Sequence, residues 1–324
     1  MRLLVTGASG FLGSRLIPEL SAQGHFGLAV SRRKIGELPA GWDWRERGSV
    51  LSAPPSAPPD ALIHLEVKQH VPNPTPADLR EFDSVNVGGV KSWLDWCAQA
   101  QVNRFIHLST IKAVADSPEI QLDDAASPPS TLYGQSKRAG EDLVAAWGRE
   151  SPARSVLILR PAVVYGPGNT ANIFSFIQAI DCRRFFLVGG SRNLKSLVSL
   201  RNAAAAITFL LVRMRPGVDY FNLTDQESFS VRELAEKLAR LLGKNPRFAS
   251  IPLFAARLAA LAGDLVLKAT GRSLPLTTSR LSALTETTHF SCRKLLAAGF
   301  RHPQTTDEGF QEMIAWRRTL PPAS

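Results

Sequence analysis

The feature that most restricts this chain is a strand that runs straight into a glycine turn. Leu3-Leu4-Val5-Thr6 leads into TGASGFLG, with Gly7, Gly10 and Gly13 spaced as GxxGxxG, and an apolar-striped helix follows from Phe11 to Gln23. In such a turn one glycine permits the tight bend, one lets a ligand's pyrophosphate approach the backbone, and one lets the helix pack close to the sheet. The free N–H groups at the helix start, around Ser9, Phe11 and Leu12, and the positive end of the helix dipole then face the phosphates. Strand and helix on either side make this a dinucleotide site rather than a chance glycine pattern.

The rest of the first half repeats the rhythm. Gly27–Ser31, Ala61–Leu65, Arg104–Leu108 and Val156–Leu159 read as short buried strands, with a helix from Asn86 to Gln101 between two of them. That alternation predicts parallel βαβ units. Leu51–Pro59 holds four prolines and reads as an exposed connection. After Gly166 the alternation weakens and helical patterns such as Val231–Leu242 take over. The expected organisation is a doubly wound α/β domain over residues 1–170, rejoined by about 193–225. A smaller, mostly helical lobe is expected from 171–192 and 226–324. A chain of 324 residues is long enough for both.

The net charge of +10 would suit nucleic acid, but Lys and Arg are spread along the chain, so an acidic small molecule is the expected partner and nucleic acid is not. Cys97, Cys182 and Cys292 show no CxxC or Cys/His spacing, which predicts neither a disulfide framework nor a metal site and suits the reducing cytoplasm. With the first strand at the start of the sequence, no cleavable leader is expected. Ala203–Met214 and Leu253–Leu267 are too short, or too interrupted by Arg257 and Asp264, to span a bilayer and read as buried or interfacial helices.

Two further patterns give the dinucleotide a use. Where many NAD-binding chains place an acid after the second strand, this one has Ser31, Arg32, Arg33 and Lys34, so NADP is favoured over NAD through guanidinium contacts to a 2′-phosphate. Tyr133-Gly-Gln-Ser-Lys137 sets a phenol and an ammonium four apart, on one helix face. A phenol of pKa about 10 needs lowering by roughly three units to act as a base near neutrality, and Lys137 together with a nicotinamide cation could supply it. Ser109 and Thr110 end a strand upstream and offer a hydroxyl to hold a substrate oxygen.

Taken with LIHL at residues 62–65, NVGG from Asn86, LRPAVVYGPGN, NLKSLVSLRN and the closing AAGF and EGFQEMIAW, these motifs resemble the NAD(P)-dependent epimerase/dehydratase family of extended short-chain dehydrogenases along nearly the whole chain. The resemblance implies a Rossmann-type fold, a nucleotide-sugar substrate and a possible homodimer. It makes Tyr133 the acid/base, Lys137 the residue binding the nicotinamide ribose, and Thr110 the hydroxyl partner, with Ser109 in reserve. It also sets Leu65 beside the cofactor, Pro161–Val163 against the nicotinamide, and Asn172 and Lys195 near the substrate's nucleotide or diphosphate.

The chain departs from the family at several points. Glu66-Val67 replaces a pair of alanines, Lys112–Asp116 replaces a VYG- or VNG-like turn, and Ser49 stands near a missing adenine-binding acid. Ile111-Lys112 stands in place of the Asp-Glu pair of a dehydratase, which leaves epimerase or dehydrogenase. The alternatives are an NADPH-dependent reductase of a keto-sugar or lipid-like ketone, and a non-catalytic dinucleotide sensor or scaffold.

Overall fold

The computed structural model describes residues 1–53, 57–71, 74–270 and 276–321. In chain order the first half runs β1 (Arg2–Thr6), α1 (Phe11–Ala22), β2 (Phe26–Ser31), β3 (Trp42–Glu46), α2 (Arg47–Leu51), β4 (Ala61–His64), α3 (Pro76–Glu81), α4 (Gly89–Gln99), β5 (Arg104–Leu108), α5 (Leu132–Arg149), β6 (Ser155–Pro161) and β7 (Val163–Tyr165). The second half runs α6 (Asn172–Asp181), β8 (Leu187–Val188), β9 (Leu194–Ser199), α7 (Leu200–Leu211), β10 (Gly217–Leu223), β11 (Ser228–Ser230), α8 (Val231–Leu241), β12 (Ser250–Ile251), α9 (Leu253–Thr270), α10 (Thr278–Thr285), α11 (Arg293–Ala297) and α12 (Thr306–Thr319).

Seven strands form one parallel sheet in the order β10-β6-β5-β4-β1-β2-β3. The chain winds outward from β1 through β2 to β3 and then returns to β4 on the other side. The carboxyl ends of β1 and β4 therefore flank the switch point at which such sheets open a crevice for ligand. Leu3, Leu4 and Val5 are fully buried; Leu3 and Val5 join the core under α1 and α7, while Leu4 joins the core of Trp93, Trp96 and Val144 under α4 and α5. Burial on both faces explains why β1 reads as a continuous apolar run rather than an alternating one.

Three departures from the sequence reading have local causes. The edge strand β3, WDWRE, lacks a β-branched run and takes its conformation from pairing Trp42–Glu46 with Gly27–Ser31 of β2. The helix expected from Asn86 begins earlier: α3, capped by Thr75 and Asp78, passes through a π-helical turn at Phe82–Gly88 into α4. Of the expected connection Leu51–Pro59, Leu51 closes α2, and residues 54–56 lie outside the described residues.

The second half contributes β10 to the main sheet beside β6 and packs α7 on α1. A separate core of Tyr165, Ile177, Leu234, Leu238 and Phe310 joins α6, α8 and α12. Helix α8 starts as its sequence implies, with Ser230 and Glu233 forming a reciprocal capping box.

Candidate active site

The glycine turn sits at the switch point and has no room for side chains. Gly7 has φ +65°, and a Cβ there would lie 2.8 Å from the Leu65 carbonyl carbon; a Cβ on Gly13 would lie 2.6 Å from the Ala8 carbonyl oxygen. Gly10 caps α1 without a side-chain bond, and the first turn carries no acid, so its N–H groups are left to an anion. This cradle fits a dinucleotide pyrophosphate. Leu65 is buried beside it, its N–H donating to Thr6 Oγ1 at 3.2 Å.

Beyond the cradle, Arg32 and Arg33 stand exposed where β2 ends. Ser31 is buried: its hydroxyl donates to the Arg33 carbonyl at 2.5 Å and accepts from Trp44 Nε1 at 3.0 Å, which fixes the turn that presents the two guanidiniums. Glu66, the unusual residue after β4, accepts from Arg47 Nε and from Trp93 Nε1, each at 3.0 Å. Its charge is thus compensated, and it neither points to bulk solvent alone nor stands free to recharge the pocket.

On the other side of the switch point, Thr131 caps α5 and sets Tyr133 in the first turn, Lys137 in the next and Glu141 one turn further. The Tyr133 phenol lies beside the Thr110 hydroxyl. Thr110 also caps the 3-10 turn Ile111–Ala113, accepting from the Lys112 N–H at 3.2 Å. Ser109 is buried and its hydroxyl has no partner among the described residues. Burial pushes the Tyr133 phenol up to about 12, opposed by the neighbouring Thr110 hydroxyl. The protein's own groups leave the phenol raised; the lowering expected from the sequence was by Lys137 together with a nicotinamide cation. Lys137 is fully buried, donates to the Leu108 carbonyl at 2.8 Å, and is held down to about 8 by burial, with Glu141 opposing.

Several residues that the sequence did not single out hold this helix in place. Arg160 and Glu141 form a bidentate pair, at 2.9 Å from Nε and 2.7 Å from Nη2, with side chains 3% and 0% exposed. Arg160 Nη1 also donates to the Ala125 carbonyl at 2.8 Å. The buried Asn86 donates to Ser136 Oγ at 3.0 Å and to the Lys68 carbonyl at 3.1 Å, joining the π-helical turn to α5. Behind Lys137, His64 and His107 stack with ring centres 5.5 Å apart; burial first, and the Lys137 charge next, holds both far below the usual imidazole pKa, so both are neutral. Glu141 was legible as the residue one helical turn after Lys137; the histidines carried no such signal.

The substrate side gathers only part of the expected set. Pro161 and Val163 follow β6 into β7 at the sheet's carboxyl edge. Lys195, on β9, lies in the field of Lys112, Glu286 and Asp116; burial, then Lys112, lowers it to about 8. Lys112 bridges Asp116 at 2.8 Å and Glu286 at 3.1 Å. Lys195 is thus a member of a cluster of two cations and two carboxylates. Asn172 stands exposed in the first turn of α6, whose cap is Ala171, and makes no side-chain hydrogen bond among the described residues. His70 and Phe82, absent from the sequence reading, set their rings 5.8 and 6.0 Å from that of Tyr133. A cavity lined by Ser14, Arg15, Tyr165 and Arg201 shares no residue with this cleft. Among the described residues no cluster of His, Cys, Asp and Glu could hold a metal ion.

Known proteins resemble this chain in sequence and in fold. The model of the "NAD dependent epimerase/dehydratase family" matches residues 3–223. The Escherichia coli O157:H7 N-acetyl-alpha-D-glucosaminyl-diphospho-ditrans,octacis-undecaprenol 4-epimerase is 25% identical, over 97% of this chain and 94% of its own. A Stigmatella aurantiaca protein, 4-hydroxy-2-methyl-3-oxo-4-farnesyl-3,4-dihydroquinoline-1-oxide ketoreductase, is 28% identical over 83% and 81% of the two chains. The solved structure of MoeE5 in complex with UDP-glucose and NAD superposes with a TM-score of 0.74 at 24% identity, covering 98% of this chain and 99% of that one, a likeness of fold.

Proposed function

We propose, because this chain belongs to the NAD-dependent epimerase/dehydratase family and is an enzyme of the extended short-chain dehydrogenase type, that it moves hydride to and from a carbinol carbon of a nucleotide-sugar through a keto intermediate. The observation that carries this is the placement of the Tyr133 phenol beside the Thr110 hydroxyl and a buried Lys137 at the carboxyl edge of the sheet. A non-catalytic sensor would have no need of a phenol, a hydroxyl and a buried ammonium held together.

In this reading Thr110 holds the substrate oxygen and Tyr133 exchanges a proton with it. Lys137 binds the nicotinamide ribose, and the Arg160–Glu141 pair keeps α5 in register so that phenol and ammonium face the same crevice. A bound NAD(P) supplies the hydride acceptor and, when oxidised, a positive ring near the phenol. The high pKa that burial gives Tyr133 would be brought down by Lys137 together with the positive charge of an oxidised cofactor, which would tie base strength to cofactor occupancy. Gly7, Gly10 and Gly13 seat the pyrophosphate, and exposed Arg32 and Arg33 favour NADP.

Ile111-Lys112 offers no acid for dehydration, and the Lys112 ammonium is occupied by Asp116 and Glu286, so epimerisation or keto-reduction remains. A second reading, keto-reduction or epimerisation of a lipid-bearing substrate, is favoured by the exposed apolar side chains of α9 and by the lipid-linked names of the Escherichia and Stigmatella relatives. In both readings the three free thiols suit the cytoplasm.

The test is to incubate the protein with UDP- and GDP-sugars, with and without NAD or NADP. Reduced-nicotinamide absorbance and sugar products are followed together. An isomer of unchanged mass without net cofactor reduction identifies an epimerase, and steady NADPH consumption on a keto substrate a reductase. No turnover of any nucleotide-sugar, with turnover of a prenyl-diphosphate sugar or lipid ketone, would replace the first reading by the second.

A further inference from the structure

Helix α9 is built inside out for a water-soluble surface. Its buried positions are Ala256, Ala260 and Gly263, packed toward Val188 and Leu281. Its most exposed large apolar side chains are Phe254, Leu258, Leu261 and Leu265, which are 69%, 65%, 55% and 68% exposed. Spaced by four, three and four residues, these four form one stripe along the helix. Surface helices ordinarily place large apolar residues inward, and scattered single leucines need no explanation, whereas a continuous stripe does.

The charges around the stripe indicate what covers it. Arg257 is exposed beside it, and the one acid on α9, Asp264, is turned to α10, where it accepts from the Thr278 N–H at 3.3 Å and from its hydroxyl. Exposed Arg247 precedes β12, which leads into α9; exposed Arg192 follows β8, which pairs with β12. Residues 171–192 and 226–324 carry seventeen Lys and Arg against nine Asp and Glu, +8 of the whole chain's +10. A stripe of Phe and Leu flanked by arginines on a strongly cationic lobe is the pattern of a helix that lies in the headgroup layer of an anionic bilayer. No described helix is long and apolar enough to cross a membrane, so α9 would lie on the surface rather than span it.

We propose that α9 is a membrane-surface docking helix, inserting Phe254, Leu258, Leu261 and Leu265 among the acyl chains of an anionic phospholipid leaflet while Arg192, Arg247 and Arg257 meet the headgroups. This docking is independent of which substrate the enzyme takes, and its test requires no turnover. The full chain is floated on a density gradient with vesicles of phosphatidylcholine alone, or of phosphatidylcholine with one third phosphatidylglycerol. The wild type rises with the anionic vesicles at low salt and is released by high salt, and Leu258→Asp/Leu265→Asp cuts the floated fraction by about tenfold or more. Circular dichroism checks that the variant is folded. Independently of that variant, the emission of Phe254→Trp shifts to the blue when anionic vesicles are added. A wild type that stays at the bottom with both vesicles overturns the proposal, as does a folded double variant that floats like the wild type. So does a stable dimer in solution that the double variant splits, because a second copy then covers the stripe. Tyr133→Phe floats like the wild type, so loss of chemistry and loss of docking are read separately.

Discussion

Replacing Glu141 by glutamine tests whether the site is held from behind as the structure indicates. The carboxylate is fully buried and takes both Arg160 Nε and Nη2, the guanidinium side chain being 3% exposed. Removing one charge of so buried a pair strands the other, at a cost of about 3–5 kcal/mol. Unfolding entropy of about 2.1 cal/mol/K per residue, over this chain length, gives about 0.7 kcal/mol per degree, so the melting midpoint should fall by about 4–7 °C. Arg160 retains the Ala125 carbonyl and its stacking over Tyr220, which favours the lower end of that range. Calorimetry of Glu141→Gln, Arg160→Met and the double variant closes the cycle: the double loss should fall short of the summed single losses by about 2 kcal/mol. A second readout separates positioning from bulk stability. Glu141 is the charge that holds Lys137 up against burial, so the alkaline limb of the activity profile should move to lower pH in Glu141→Gln. A midpoint within about 1 °C of wild type, or single losses that simply add, would refute the reasoning.

Thr110→Ala should lower kcat by about 100-fold or more, whereas Ser109→Ala, which removes a buried hydroxyl without a partner, should leave kcat within a few-fold and stability unchanged or improved; steady-state kinetics and melting of both variants fix which hydroxyl serves Tyr133. Arg32→Ala/Arg33→Ala should raise the KM for NADP by about tenfold or more and leave that for NAD nearly unchanged, and equal effects on the two cofactors would remove the 2′-phosphate role. Lys137 and Lys195 stand near 8 in the folded chain against 10.5 for a free lysine. The unfolded chain therefore holds more protons between those values, and stability should rise with pH from about 8 toward 10. Tyr133, raised to about 12 from 10.0, holds its proton longer folded than unfolded, so stability should fall again above pH 10; melting midpoints across pH 7 to 11 that decline throughout would contradict these burials.

What could be read from the sequence was what local pattern determines. The strand into the glycine turn, the parallel strands after it, the tyrosine and lysine one helical turn apart and the hydroxyls closing β5 are each contiguous segments whose spacing encodes their geometry. β3 was given no bounds because WDWRE owes its extended form to β2 rather than to its own residues. The Arg160–Glu141 pair, nineteen residues apart, and Asn86 with Ser136, fifty apart, exist only once strands and helices have packed. Glu66 shows the same limit from the other side. The sequence marked it only as a departure from a pair of alanines, and Arg47 and Trp93, nineteen and twenty-seven residues away, reveal where its charge goes. For α9, periodicity showed an apolar helix, but which of its faces points outward followed only from what packs beneath it.

The most direct measurement is a single-turnover reaction of Tyr133→Phe, with NADP or NAD and a substrate found active with the wild type, alongside a titration of cofactor binding. With Tyr133 as the acid/base, cofactor should bind as tightly as in the wild type while hydride transfer slows by about a thousandfold or more. Transfer at the wild-type rate would show that the phenol is not the acid/base and that the chemistry lies elsewhere in the cleft.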